Sequence, residues 1–154
     1  MDDVKWLNMT IAMATENVAR GGGPFACIIV KDGRVVAEGV NGVVPQYDPT
    51  AHAEVQAIRR ACEQLENHQL DDCVIYTSCE PCPMCFGAIY WARPKRVVFA
   101  ATKEQAANAG FDDAMIYNAI ANKNQGNIPF AHETIPNANH PFIEWINKQD
   151  KTEY

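Results

Sequence analysis

The sequence predicts an α/β fold: a three-layer α/β/α sandwich around a central mixed sheet. Three observations carry that expectation. Short apolar runs of strand length alternate with segments of helical period; Lys31-Asp32-Gly33-Arg34 joins the first two runs as a hairpin turn; and every later run is separated from the next by a helix. A hairpin gives antiparallel neighbours, whereas strand–helix–strand connections give parallel ones with helices covering the faces.

Taken in order, Val4, Leu7, Ile11, Ala14 and Val18 step by 3, 4, 3 and 4, so residues 3–19 read as an amphipathic helix with those five on its apolar stripe. The run Arg20-Gly21-Gly22-Gly23-Pro24 ends it. Residues 25–30 and 35–40 are the two hairpin strands, with Asp-Gly at the turn. A proline-containing loop over 44–49 leads to Thr50, an N-cap candidate for a helix through about Glu66. A strand over 73–77, a helix opening near Pro81 and closing before Pro94, and a strand over 96–101 follow. Shorter helices are expected over 113–121 and, after Pro141, over 142–148. No repeat or long linker interrupts the chain, so residues 1–154 are expected to form a single domain.

Composition bounds the function. The chain has 154 residues, of which 47% are hydrophobic and 21% charged, with a formal net charge of −6. Cut at Arg96, the first part carries 9 basic and 12 acidic residues and the second 4 and 7, so each part is −3 and no basic arm exists. A polyanion would need local positive patches against that balance, which argues against nucleic acid. No apolar stretch approaches the roughly 18 residues of a membrane span. The acidic start Met1-Asp2-Asp3 lacks the positive charge of a signal peptide. A cytoplasmic protein is expected, with its six cysteines reduced, so unusual cysteine spacing points to metal or catalysis before disulfides.

That spacing is found in two segments. His52-Ala53-Glu54 precedes Pro81-Cys82-Pro83-Met84-Cys85, with 26 residues between Glu54 and Pro81. Cysteines at i and i+3 of a helix face one side, and helix N-termini favour thiolate over thiol. One imidazole and two thiolates suit Zn²⁺ with a fourth position left for water. The three ligands bring the site's formal charge to zero, which acidifies a bound water less than three imidazoles would. Glu54 then supplies a carboxylate base beside the metal. The pattern H-x-E followed by P-C-x-x-C is the known signature of the zinc nucleobase deaminases.

At this point the chain resembles the cytidine deaminase superfamily and, within it, the bacterial guanine deaminases. The residues that carry the likeness are 76–85 (YTSCEPCPMC) with 87–94 (GAIYWARP), Gly22-Gly23-Pro24-Phe25, Asp48-Pro49-Thr50-Ala51-His52-Ala53-Glu54, Ala109-Gly110-Phe111-Asp112-Asp113 and the terminal Glu153-Tyr154. One departure is Ala26, where that family's pattern has glycine. The resemblance implies a cytidine deaminase-like fold and one Zn²⁺ per subunit, held by His52, Cys82 and Cys85. Glu54 would then be the proton shuttle. It further implies that Asn41 hydrogen-bonds a purine, that Phe25 stacks on it near Trp91, and that Asp113 recognises the amino and ring N–H donors of guanine. Tyr154 would close the pocket from the partner subunit of a homodimer that exchanges its C-terminal segment, 110–154. The reaction implied is hydrolysis of guanine at C2 by a zinc-activated water, giving xanthine and ammonia, in purine catabolism and nitrogen salvage.

Plainer readings stand beside these. Cys79 could complete a closed structural zinc site, although it sits at a strand end and would leave Glu54 idle; otherwise it is a small buried side chain, like Cys27, Cys62 and Cys73. Asn41 could cap a turn before Gly42. Phe25 and Trp91 could be core, Asp113 a solvated helix start, and Tyr154 a frayed terminus. Other functions open to the same motifs are deamination of cytosine or of adenosine in tRNA, and a non-catalytic zinc-stabilised interaction domain.

Overall fold

The computed structural model of the chain describes residues 2–122 and 126–154. Among them the elements follow in the order α1 (Asp3–Ala19), β1 (Ala26–Lys31), β2 (Arg34–Val40), α2 (Ala53–Leu65), β3 (Cys73–Cys79), α3 (Pro83–Ala92), β4 (Arg96–Ala101), α4 (Lys103–Asn108), α5 (Ala114–Ala121) and α6 (His140–Asn147). The hairpin forms where expected. Asp32 and Gly33 both take positive φ (50° and 72°), as the two-residue turn that matches strand twist requires.

The sheet runs β2-β1-β3-β4 and is mixed: β1 pairs antiparallel with β2 and with β3, and β3 pairs parallel with β4. β1 alternates strictly between two cores. Cys27 and Ile29 pack with Ala53, Ala57 and Ala61 of α2 and Ile89 and Ala92 of α3, while Ile28 and Val30 pack with Tyr76 and the α1 residues Trp6, Leu7, Met9 and Met13. Both faces of this strand are covered, which is why its sequence is continuously apolar rather than alternating. The three layers of the expected sandwich are therefore present.

This topology decides where a site can form. β2 and β3 flank β1 and both run opposite to it, so their C-terminal ends lie at the same edge of the sheet as the start of β1. The parallel β4 ends there too. The segments leaving those ends begin α2, α3 and α4, and open α/β sheets bind ligands at the carboxyl ends of their strands.

Four expectations need correction. The packed face of α1 is Thr10, Ala14 and Asn17 with Trp6, Leu7, Met9 and Met13, not the stripe through Val4, Ile11 and Val18; Val4 and Val18 are 73% and 52% exposed. The helix is apolar around much of its girth, so two stripes satisfy the helical period. The buried one lets Thr10 and Asn17 reach partners, through Thr10 Oγ1 to the Leu7 carbonyl at 2.7 Å and through the Asn17 amide, described below. Thr50 is not the cap of α2. Its backbone N–H and hydroxyl both donate to Asp48 Oδ1, at 2.8 and 2.7 Å, and His52 is the N-cap. α3 starts at Pro83 with Cys82 as its N-cap. Finally, α4 was not expected at all, although Thr102 and Gln105 form a capping box whose Thr-x-x-Gln pattern is legible in the sequence.

The chain contains two compact units, residues 1–113 and 114–154. The first holds the sheet and both cores. In the second, neither α5 nor α6 buries a single residue, and Met115, Ile120, Phe142 and Ile146 are all exposed. No helix among the described residues is long and apolar enough to cross a membrane.

Candidate metal centre and active site

His52 and Cys82 cap the two helices that leave the ends of β2 and β3, and Cys85 lies one turn into α3. The His52 side chain makes no capping bond to α2 and faces both sulfurs, while Cys82 Sγ lies within hydrogen-bond reach of Cys85 in its own helix. His52 Nδ1 lies 3.5 Å from Cys82 Sγ and 3.5 Å from Cys85 Sγ. The three donor atoms lie within 4.8 Å of one another, the one such group of histidine, cysteine and acidic side chains found among the described residues. Zinc bonds of about 2.0–2.1 Å to nitrogen and 2.3 Å to sulfur, at tetrahedral angles, place nitrogen and sulfur about 3.5 Å apart. The donor set therefore fits zinc both in chemistry and in spacing, with three protein ligands and one position open.

The electrostatics agree. A hydrogen bond from the Cys85 thiol, with His52 beside it, pushes the Cys82 thiol down to about 4. Cys85, which shares that proton and is buried, is held well above the usual thiol range. The pair presents one ready thiolate and releases one further proton to bind a dication. The Cys82 sulfur also raises the pKa of His52.

Glu54 sits in the first turn of α2 and is 6% exposed, which excludes a solvated helix carboxylate. Burial pushes its pKa up, and its closest ionisable company is Cys85, Cys82 and His52. A buried carboxyl with a raised pKa beside a candidate metal-ligand set is the kind of group that serves as general base and acid. Cys79 does not join the metal group. Its thiol faces the Thr102 carbonyl at 3.8 Å, and burial pushes it up to about 11. Cys27 and Cys73 are fully buried in the core and Cys62 packs against it, as small apolar side chains.

Of the remaining residues, Asp113 lies within electrostatic reach of the cysteines: its pKa is raised mainly by burial and further by Cys82. Asn41 is buried, and its two readings fall on different atoms. Its Oδ1 accepts from the Val43 N–H at 3.2 Å and holds a turn, so Nδ2 is what it can offer a ligand. Phe25 immediately precedes β1 at the same edge of the sheet, and its ring meets Phe111 edge-on with centroids 5.0 Å apart. Ala26 beside it is fully buried and donates its N–H to Ser78 Oγ. Trp91 is exposed on α3. Tyr154 is 68% exposed and packs edge-on against Trp145 inside the C-terminal unit. Sequence reasoning passed over Gln56, one turn from His52 on α2, whose Nε2 donates to the Val40 carbonyl at 2.8 Å and ties α2 to the strand end before Asn41. Only its place two residues after Glu54 hinted at it.

With this geometry in hand, comparisons with known proteins agree on one family. Residues 1–101 match the family described as the cytidine and deoxycytidylate deaminase zinc-binding region. The chain is 53% identical to a guanine deaminase from Bacillus subtilis over the full length of both. A crystal structure of guanine deaminase from that organism superposes with a TM-score of 0.97 at 52% identity, covering 100% of this chain and 99% of that one. It is also 37% identical to a tRNA-specific adenosine deaminase from Haemophilus influenzae, over 72% of this chain and 68% of that protein.

Proposed function

The chain belongs to the cytidine and deoxycytidylate deaminase family, and from that membership we propose that it hydrolyses guanine at C2 to xanthine and ammonia. The observation that carries the reading is the meeting of His52, Cys82 and Cys85 at zinc spacing beside a buried Glu54. Full-length likeness to a guanine deaminase selects the base.

His52, Cys82 and Cys85 would hold one zinc per chain, and zinc bound there supplies the Lewis acidity that makes water a nucleophile at neutral pH. Glu54 takes a proton from the attacking water and delivers it to N3 of guanine, which makes C2, between N1 and N3, more electrophilic. Once the water oxygen has bonded to C2, Glu54 takes the second proton from that oxygen and hands it to the amino group; the C2–N bond breaks, ammonia leaves and C2 keeps the oxygen as a carbonyl. One water enters, one ammonia departs, and Glu54 ends as it began.

Asn41 would donate through Nδ2 to an acceptor on the purine, Phe25 would stack on the ring, with Trp91 nearby, and Asp113 would accept from the amino and ring N–H groups. Asp113 and Phe25 belong to the sheet-bearing unit that holds the metal group, which supports their share. Tyr154 is assigned to the partner subunit's pocket in a homodimer that exchanges 110–154. Two helices that are rich in apolar residues yet bury none in the single chain support such a partner. A free base fits the chain's charge of −6 better than tRNA does. A cytoplasmic site of action in purine catabolism completes the reading.

Ammonia release from guanine, adenine, cytosine, cytidine and adenosine checks the substrate, with guanine expected to be turned over fastest. Fast release from cytosine with none from guanine would reassign the pocket. Removal of residues 153–154 checks the lid. Loss of closure is expected to lower turnover on the order of 100-fold at unchanged zinc content. Unchanged kinetics in the truncated chain would leave Tyr154 as a terminus only.

A further inference from the structure

We propose that Asn17, on α1 and outside every metal-binding motif, is a positioning residue that sets the substrate-facing geometry of Asn41 and Phe25. The inference rests on the purine roles given to those two residues above. Asn17 is 8% exposed, and its Nδ2 uses both hydrogens on carbonyls of two different loops: Gly23 at 2.8 Å and Asn41 at 2.9 Å. One loop carries Phe25 and the other is Asn41 itself. The two are also joined directly, since the Asn41 N–H donates to the Phe25 carbonyl at 3.1 Å. Gly42 N–H to the Ala51 carbonyl at 2.9 Å, and Gln56 to Val40, fix the other side of the same turn to the start of α2.

The packing around this amide leaves no slack. A Cβ on Gly22 would lie 2.4 Å from Asn17 Nδ2 and 2.7 Å from the Asn41 carbonyl, and one on Gly23 would lie 3.0 Å from Asn41 Oδ1. Glycines at 22 and 23 thus let two loops close onto one amide, and that amide is the only side chain shown donating to both. The Gly23 carbonyl also accepts from the Phe25 N–H at 2.9 Å, whereas among the described residues Asn17 is the one donor shown on the Asn41 carbonyl, so losing Asn17 would release the Asn41 backbone from α1 while His52, Cys82 and Cys85 keep their supports. Loss of a buried donor that serves two carbonyls should therefore appear in substrate binding before it appears in the metal site.

The test is Asn17→Asp, which keeps the shape and turns the donor into an acceptor facing two carbonyls, with Asn17→Ser as a second variant if the first does not yield soluble protein. Expected is a rise in KM for guanine of about 10- to 100-fold with kcat within about threefold of wild type. Zinc content should stay the same, and amide hydrogen exchange at Asn41 and Gly42 should be faster. An unchanged KM in a folded, zinc-loaded variant would overturn the proposal. So would a joint fall of zinc content and kcat, which marks a merely structural role. If the wild-type chain itself turns over no guanine, the proposed function fails separately; exchange at Asn41 then decides the clamp, and unchanged protection there overturns it.

Discussion

Glu54→Gln is expected to lower kcat for guanine on the order of 10⁴-fold while the chain keeps its zinc. Glutamine has the shape of glutamate and keeps one accepting oxygen, but it can neither take the proton from water nor hand one to N3 and to the departing amino group. A single proton transfer by a positioned side chain contributes roughly 10²- to 10⁴-fold, and the proposed reaction uses Glu54 more than once in each turnover. The loss cannot be assigned to unfolding, because the substitution removes a buried charge whose solvation the fold already sacrifices. Steady-state kinetics, zinc content and melting temperature measured together settle the point. A variant within tenfold of wild type would mean that another group moves the proton.

Gly39→Ala is expected to be severe for a different reason. Gly39 lies in β2, and a Cβ there would stand 2.3 Å from the Ala53 carbonyl and 2.6 Å from the Ala57 N–H, both on the backbone of α2. Neither can turn aside as a side-chain tip can, so the first turn of α2 must shift. Ala53 lies between His52, of the candidate metal group, and Glu54, which makes the packing of strand on helix and the geometry of the site one problem. A cost of about 3 kcal/mol or more is expected, equivalent to a fall in melting temperature of roughly 10 °C, with zinc affinity and turnover lost together. Gly33→Ala is the contrast. Gly33 has positive φ and nothing within 4 Å, so backbone strain alone applies, costing about 1 kcal/mol with the site intact. Wild-type stability and zinc binding in Gly39→Ala would show that β2 and α2 do not approach as described.

The sheet and the meeting of His52, Cys82 and Cys85 were legible because their signals are local. Asp-Gly at 32–33 defines a turn, a strand covered on both faces reads as a continuous apolar run, and the H-x-E and P-C-x-x-C segments carry their chemistry in a few residues. The orientation of α1 was not legible, because Asn17 finds its partner 24 positions away at Asn41 and no periodicity reports that distance. The start of α2 was misplaced because Asp48 captures the hydroxyl of Thr50, a competition between two local caps that spacing does not rank. α4 was missed because a six-residue segment without a buried face shows no stripe, although its capping box could have been read. The apolar surface that α5 and α6 leave exposed was not legible either, because which face a short helix buries depends on what it packs against.

The proposed function makes His52, Cys82, Cys85 and Glu54 one zinc-dependent hydrolytic centre acting on guanine. Its most direct test is the product balance of the purified chain incubated with guanine, before and after zinc removal by a chelator and again after zinc is restored. Xanthine and ammonia are expected in equal amounts, lost with the zinc and recovered with it. Zinc-loaded, folded protein that leaves guanine unchanged would contradict it.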